Sequence, residues 1–198
     1  MNPVLALAIP LFILMDFIGT IPVFISLTQG AGQGKRIRIA IFASLLAGAI
    51  VLVFALGGNF ILSYFSISVE AMKVGGGLLL LYIAFEMILA GQSAYKEADT
   101  KRGVVVSPLA IPMLAGPGSM SFALLAFLGA TGLQKVNIIL AIAITSIAGA
   151  VVLSLSTTIH KFCGEEFTRG LEKVTAVIIS FIAVEMIMSG IRAYFSLG

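Results

Sequence analysis

Pro10-Leu-Phe-Ile-Leu-Met-Asp16-Phe-Ile-Gly19-Thr20-Ile-Pro22 puts a carboxylate, a glycine and two prolines inside an otherwise apolar segment. Proline has no N–H, so Pro10 leaves the carbonyl of Ala6 without its helical donor, and Pro22 does the same to Ile18. Gly19, between them, supplies the backbone latitude for a break. Non-helical backbone at membrane depth persists only where protein buries it or where it lines a wet cavity, and an acid there marks a candidate functional site. The segment predicts an interrupted helix around which the rest of the chain is arranged.

Composition supplies the membrane. Of 198 residues, 60% are apolar and only 11% charged, with a mean hydropathy of +1.14, against about 25% charge in an average soluble domain. The apolar runs are about 20 residues long, as spanning helices require, whereas an outer-membrane barrel would show alternating segments of about 10. The chain reads as an all-α integral membrane protein. Its first apolar run lacks a basic leader and continues beyond the roughly 7 to 15 residues of a signal core, so it reads as a retained span. A lone cysteine, Cys163, excludes an intramolecular disulfide, and a lone histidine, His160, argues against a histidine-based metal site. The net charge of +3 resides in loops flanking spans and does not point to nucleic acid.

Six spans are expected, at about 3–28, 38–62, 71–91, 104–130, 136–159 and 173–195, within a single transmembrane domain. The connections run from Gln29 to Arg38, Gln92 to Gly103 and His160 to Lys173 on one side of the membrane. That side carries 9 of the 12 Lys and Arg residues: Lys35, Arg36, Arg38, Lys96, Lys101, Arg102, Lys161, Arg169 and Lys173. Lys73, Lys135 and Arg192 lie on the other. Cytoplasmic loops carry the basic excess, which places both termini outside.

The two halves resemble one another. Ile83-Ala-Phe-Glu86-Met-Ile-Leu-Ala-Gly91 matches Ile182-Ala-Val-Glu185-Met-Ile-Met-Ser-Gly190 at an offset of 99, half the chain. Ala8-Ile9-Pro10 recurs as Ala110-Ile111-Pro112, and the break at Asp16 to Thr20 has its counterpart in Gly116-Pro117-Gly118-Ser119. A duplicated unit of three spans reverses its orientation from one copy to the next, because three is odd. Two inverted-topology repeats follow, about 1–95 and 100–198, with the first and fourth helices broken. Paired broken helices in inverted halves point to a substrate site near the bilayer midplane.

The pieces Asp16-Phe-Ile-Gly19-Thr-Ile-Pro22, Gly75-Gly76-Gly77, Pro108-Leu-Ala-Ile-Pro112-Met-Leu-Ala-Gly116-Pro117-Gly118 and Gly190-Ile191 resemble the MarC family over essentially the whole chain. Phe17 and Thr20 stand where the family pattern has a proline and an asparagine. The resemblance implies six spans, outside termini and, as in the SnatA-type members, transport of small neutral amino acids such as glycine and alanine, with protons as coupling ions.

A zwitterion needs donors for its carboxylate and an acceptor for its ammonium, and a broken helix offers both in its free N–H groups and freed carbonyls. The candidate substrate site is therefore Asp16, Gly19, Thr20, Gly116, Pro117, Gly118 and Ser119. Thr20 and Ser119 are expected to cap the following half-helices, and Asp16 to face the ammonium or a cation such as sodium. The plain alternatives are a structural carboxylate at Asp16 and a simple kink at Gly116 to Gly118. Glu185 and Glu86, related by the repeat, are the candidate coupling residues; Glu185 lies nearer mid-span, with Ser189 and Arg192 on its face, and the alternative for both is an interhelical hydrogen bond. Gly75, Gly76 and Gly77, Ser44 with Gly48, and residues 148–150 read as close-packing positions. No nucleophile with a base, metal cluster or phosphate loop is visible, which argues against an enzyme and against a cofactor. Two functions remain: a secondary transporter of small neutral amino acids in the cell membrane, or a channel or non-transporting scaffold.

Overall fold

The computed structural model describes residues 2–28, 30–89 and 114–195. Among the described residues every element is helical: α1 (Pro3–Leu14), α2 (Ile21–Leu27), α3 (Gln33–Tyr64), α4 (Val69–Leu89), α5 (Pro117–Leu128), α6 (Leu133–Ser154) and α7 (Ser156–Tyr194). Among the described residues, four segments are long and apolar enough to cross a membrane, Gln33–Gly58, Val69–Leu89, Leu133–Ser154 and Lys173–Tyr194, while Pro3–Leu14 and Gly118–Leu128 are apolar but shorter. Twelve residues of α1 extend about 18 Å, well under a hydrocarbon core of about 30 Å. The first expected span is thus two helices with an irregular segment, Met15 to Thr20, between them.

The ends of these pieces follow from their residues. Asn2 caps α1, its side chain accepting from the Val4 N–H at 3.0 Å, and Pro3 sits in the first turn where an absent N–H does no harm. Pro10 does not end the helix, contrary to a break that begins there; α1 continues through it to Leu14. The hydroxyl of Thr145 on α6 donates to the neighbouring carbonyl of Ala8 at 3.3 Å. Pro22 is the second residue of α2, so it starts a half-helix instead of interrupting one, and the Ile18 carbonyl takes the Ile21 N–H at 3.1 Å.

Two connections differ from the sequence expectation. The basic stretch after the first span is not loop: α3 begins at Gln33, and Lys35, Arg36 and Arg38 lie in its first turns. Arg36 Nη2 donates to the Thr28 carbonyl at 3.2 Å, closing the last turn behind α2. The His160 to Lys173 connection is helical too. At Leu155 the backbone ladder persists, with Leu155 N–H on Val151 O at 3.0 Å and Ile159 N–H on Leu155 O at 2.9 Å, and the chain changes direction only at Gly164, φ 76. A residue without Cβ is what that left-handed position favours. The end of the expected third span (90–91), the Gln92 to Gly103 connection and residues 104–113 of the expected fourth span lie outside the described residues.

α4 lies along α7, α3 against α6 and α5, and α1 against α6. Small residues set these distances. A Cβ on Gly77 would come within 2.8 Å of the Ala183 carbonyl, and one on Gly190 within 2.9 Å of the Glu70 carbonyl. Leu80, Ala84 and Met87 of α4 close over Ala176, Ile179 and Ala183 of α7. On the far faces large apolar side chains point outward, among them Val53, Phe60, Tyr82 and Phe181 at 66%, 73%, 66% and 68% exposure. Such a surface is compatible with lipid and not with water.

Candidate functional site

The first interruption is ordered by its own polar atoms. Asp16 adopts φ 42, in the left-handed region a short polar side chain tolerates. From there its Oδ1 accepts the Gly19 N–H at 3.1 Å, and its carbonyl accepts both the Thr20 N–H at 3.1 Å and the Thr20 hydroxyl at 2.8 Å. Gly19 has a steric reason to be glycine, since a Cβ there would run into the Asp16 carboxylate. Met15, Phe17 and Thr20 are buried, and Asp16 is half-buried. The Phe17 ring lies over Gly149 of α6, with Phe12 at 5.5 Å between centroids.

The second interruption is built differently. Leu114, Ala115 and Gly116 are buried, and α5 begins at Pro117 with Gly116 as an N-cap that provides no side-chain acceptor. Gly118 packs so closely on Leu80 of α4 that a Cβ would overlap it. The Ser119 hydroxyl donates to the Gly116 carbonyl at 3.0 Å.

Neither expected hydroxyl cap forms. Thr20 and Ser119 donate to carbonyls three or four residues back instead of accepting from the N–H groups ahead, because each already lies on a helical turn where that carbonyl is the nearest partner. Asp16 instead closes the turn ahead of α2 by accepting the Gly19 N–H, whereas α5 starts without a side-chain cap. The N–H groups of Gly118 and Ser119, in its first turn, have no intrahelical acceptor.

Residues of both interruptions belong to one core: Met15, Phe17 and Ile21 lie in the same buried cluster as Leu114 and Ala115. Glu86 and Glu185 are not brought to them. Ala176, Ile179 and Ala183 form the buried face of α7, so Glu185 falls on the exposed side with Arg192, and Glu86 is half-exposed near the end of α4. Thr145, buried and bonded across to α1, escaped the sequence reading, although a Thr-Ser pair in the middle of an apolar run was the signal available. Ser121, buried against Gly76, escaped it likewise.

Apolar helices of spanning length, a lipid-compatible surface and irregular backbone buried between half-helices define an integral α-helical membrane protein. The profile of the MarC family integral membrane proteins matches residues 1–195, and the chain belongs to that family. It is 36% identical over 190 residues to a UPF0056 membrane protein of Methanocaldococcus jannaschii, covering 92% of each chain. It is 29% identical over 197 residues to the UPF0056 inner membrane protein YhgN of Escherichia coli (strain K12), covering 98% of each, and 28% identical to the UPF0056 membrane protein YvbG of Bacillus subtilis (strain 168), covering 94% and 93%. No solved structure matches.

Proposed function

We propose that this protein is a secondary transporter of small neutral amino acids, with substrate held where the two interruptions meet. One observation carries the reading: the first break holds a half-buried carboxylate, Asp16, turned onto its own backbone, while α5 opens without a side-chain cap. An ammonium group has its acceptor on one side, and a carboxylate has N–H donors and the positive end of a helix on the other. That Met15 and Phe17 share one close-packed core with Leu114 and Ala115 supports a ligand as small as glycine or alanine. The surroundings are buried, as suits an occluded carrier.

The reading includes two inverted three-span repeats. The α4 and α7 contact supports it, because Gly77, Leu80, Ala84 and Met87 meet Ala176, Ile179, Ala183 and Met186, each the counterpart of the first set 99 residues on. A contact whose two sides are repeat equivalents is what a pseudo-twofold axis through the bundle produces. The basic asymmetry places the termini outside, and the name of the Escherichia coli relative favours the inner membrane.

The test is uptake by purified protein in proteoliposomes. Labelled glycine or alanine should accumulate above the external concentration when an inward proton or sodium gradient is imposed. Equilibration without accumulation would identify a channel, and no movement of any solute in a panel would leave a scaffold.

A further inference from the structure

Among the described residues, four buried side-chain polar atoms have no hydrogen-bond partner: Ser44 Oγ in the middle of α3 and three that belong to one end of the bundle, Arg36 Nε, Ser156 Oγ and His160 Nδ1. Their juxtaposition follows from helix register. α1 runs parallel to α6, since Ala8 meets Thr145 and Phe17 meets Gly149. α3 turns back from α2 at the Arg36 to Thr28 bond, so it runs antiparallel to α6. Gly48 of α3 lies against Ser146 of α6. Arg36, twelve residues before Gly48, is then level with residue 158, between Ser156 and His160, which stand one turn apart on the helical continuation of α6. Ala40 and Leu153 are buried in the same core, and Ile159 packs on it, as that register requires.

All three groups can act as donors, and Arg36 can do nothing else. Arginine Nε–H can only donate, a serine hydroxyl donates, and an imidazole nitrogen donates when it carries the proton. Arg36 Nη2 is already committed to Thr28 O, which fixes the guanidinium and leaves its Nε edge inward. A single oxyanion would satisfy all three donors and the fixed positive charge. Depth selects the kind. The spans containing these helices begin at Gln33 and end at Ser154, so the cluster lies at the level of lipid headgroups. Lys35 and Arg38 are exposed beside it, and Leu155 and Phe162 present apolar surface at 49% and 88% exposure. Basic residues bordering a span attract anionic lipids.

We propose that Arg36, Ser156 and His160 form a site for a phosphate group, that of an anionic lipid headgroup at this face of the membrane. The experiment is thermal unfolding of the detergent-solubilised protein titrated with short-chain phosphatidylglycerol, with the matching diacylglycerol, and with inorganic phosphate. Phosphatidylglycerol should raise Tm and the diacylglycerol should not. Ser156→Ala removes one donor without opening a large cavity, and should weaken the half-effect concentration by about tenfold, the worth of one hydrogen bond to a charged group. Arg36→Gln, which keeps an N–H for the Thr28 carbonyl, should abolish the shift. A Tm rise with inorganic phosphate that Ser156→Ala weakens would uphold the phosphate site and assign the ligand to solution. Equal stabilisation by diacylglycerol, no shift with any phosphate, or a shift unchanged in both variants would overturn the site.

Discussion

Gly19→Ala is a small change whose effect depends on one carboxylate. Gly19 does not adopt a left-handed φ, so alanine there strains no backbone, and the loss of chain entropy in the unfolded state should stabilise by about 0.4 to 1 kcal/mol. Against that, the new Cβ would stand 2.8 Å from Asp16 Cγ and overlap Oδ2. The carboxylate has to swing away, and the Gly19 N–H to Oδ1 bond of 3.1 Å goes with it, a loss of about 1.5 to 3 kcal/mol for a bond to a charged group. The net expectation is destabilisation of about 1 to 2 kcal/mol. In an Asp16→Ala background the obstacle is absent, so Gly19→Ala should become neutral or stabilising. The double-mutant cycle, read by unfolding in mixed detergent micelles, should therefore return a coupling of about 2 kcal/mol. Additive effects within about 0.5 kcal/mol would refute the claim that Asp16 folds onto Gly19.

Asp16→Asn keeps the size and an acceptor for Gly19 but removes the charge, so binding of glycine or alanine should fall at least tenfold with the protein still inserted; unchanged affinity in an equilibrium binding assay removes Asp16 from the site. Gly77→Ala should destabilise by about 1 to 3 kcal/mol by pressing on the Ala183 carbonyl, whereas Gly75→Ala meets nothing within 4 Å and should be neutral or stabilising; equal effects in a detergent unfolding assay would contradict the packing of α4 on α7. Cysteines at Gln33 and Leu133, in a Cys163→Ala background, test orientation: an impermeant thiol reagent added outside cells should label the second and spare the first, and the opposite pattern inverts the topology. Glu185→Gln, on the outward face of α7 away from both interruptions, should leave alanine exchange and gradient-driven accumulation unchanged; a stable variant that still exchanges alanine but no longer concentrates it would return Glu185 to coupling.

Much of this protein was legible in its residues, because a membrane restricts what a chain can do. Apolar runs of spanning length define helices when backbone groups have no water to bond, and the acid and two prolines in residues 10–22 located the first interruption. Its boundaries were not legible. Pro10 reads as a breaker, yet α1 passes it, whereas Pro22 and Pro117 begin half-helices; whether a missing N–H matters depends on its place in the turn. The roles of Thr20 and Ser119 also reversed, since a hydroxyl's choice between a carbonyl behind and an N–H ahead is settled by local dihedrals that composition does not encode. Helical continuation through Ser156 to the turn at Gly164 was hidden by charge density, which resembles a loop when tertiary contacts are ignored. The sequence alone determined an all-helical membrane protein with an acid-bearing break, because hydropathy and proline position are properties of the chain. Only the tertiary structure decided which faces meet. It took packing across α1, α3, α4, α6 and α7 to turn Glu185 outward and to set Arg36 level with Ser156 and His160, since each depends on the register of helices distant in sequence.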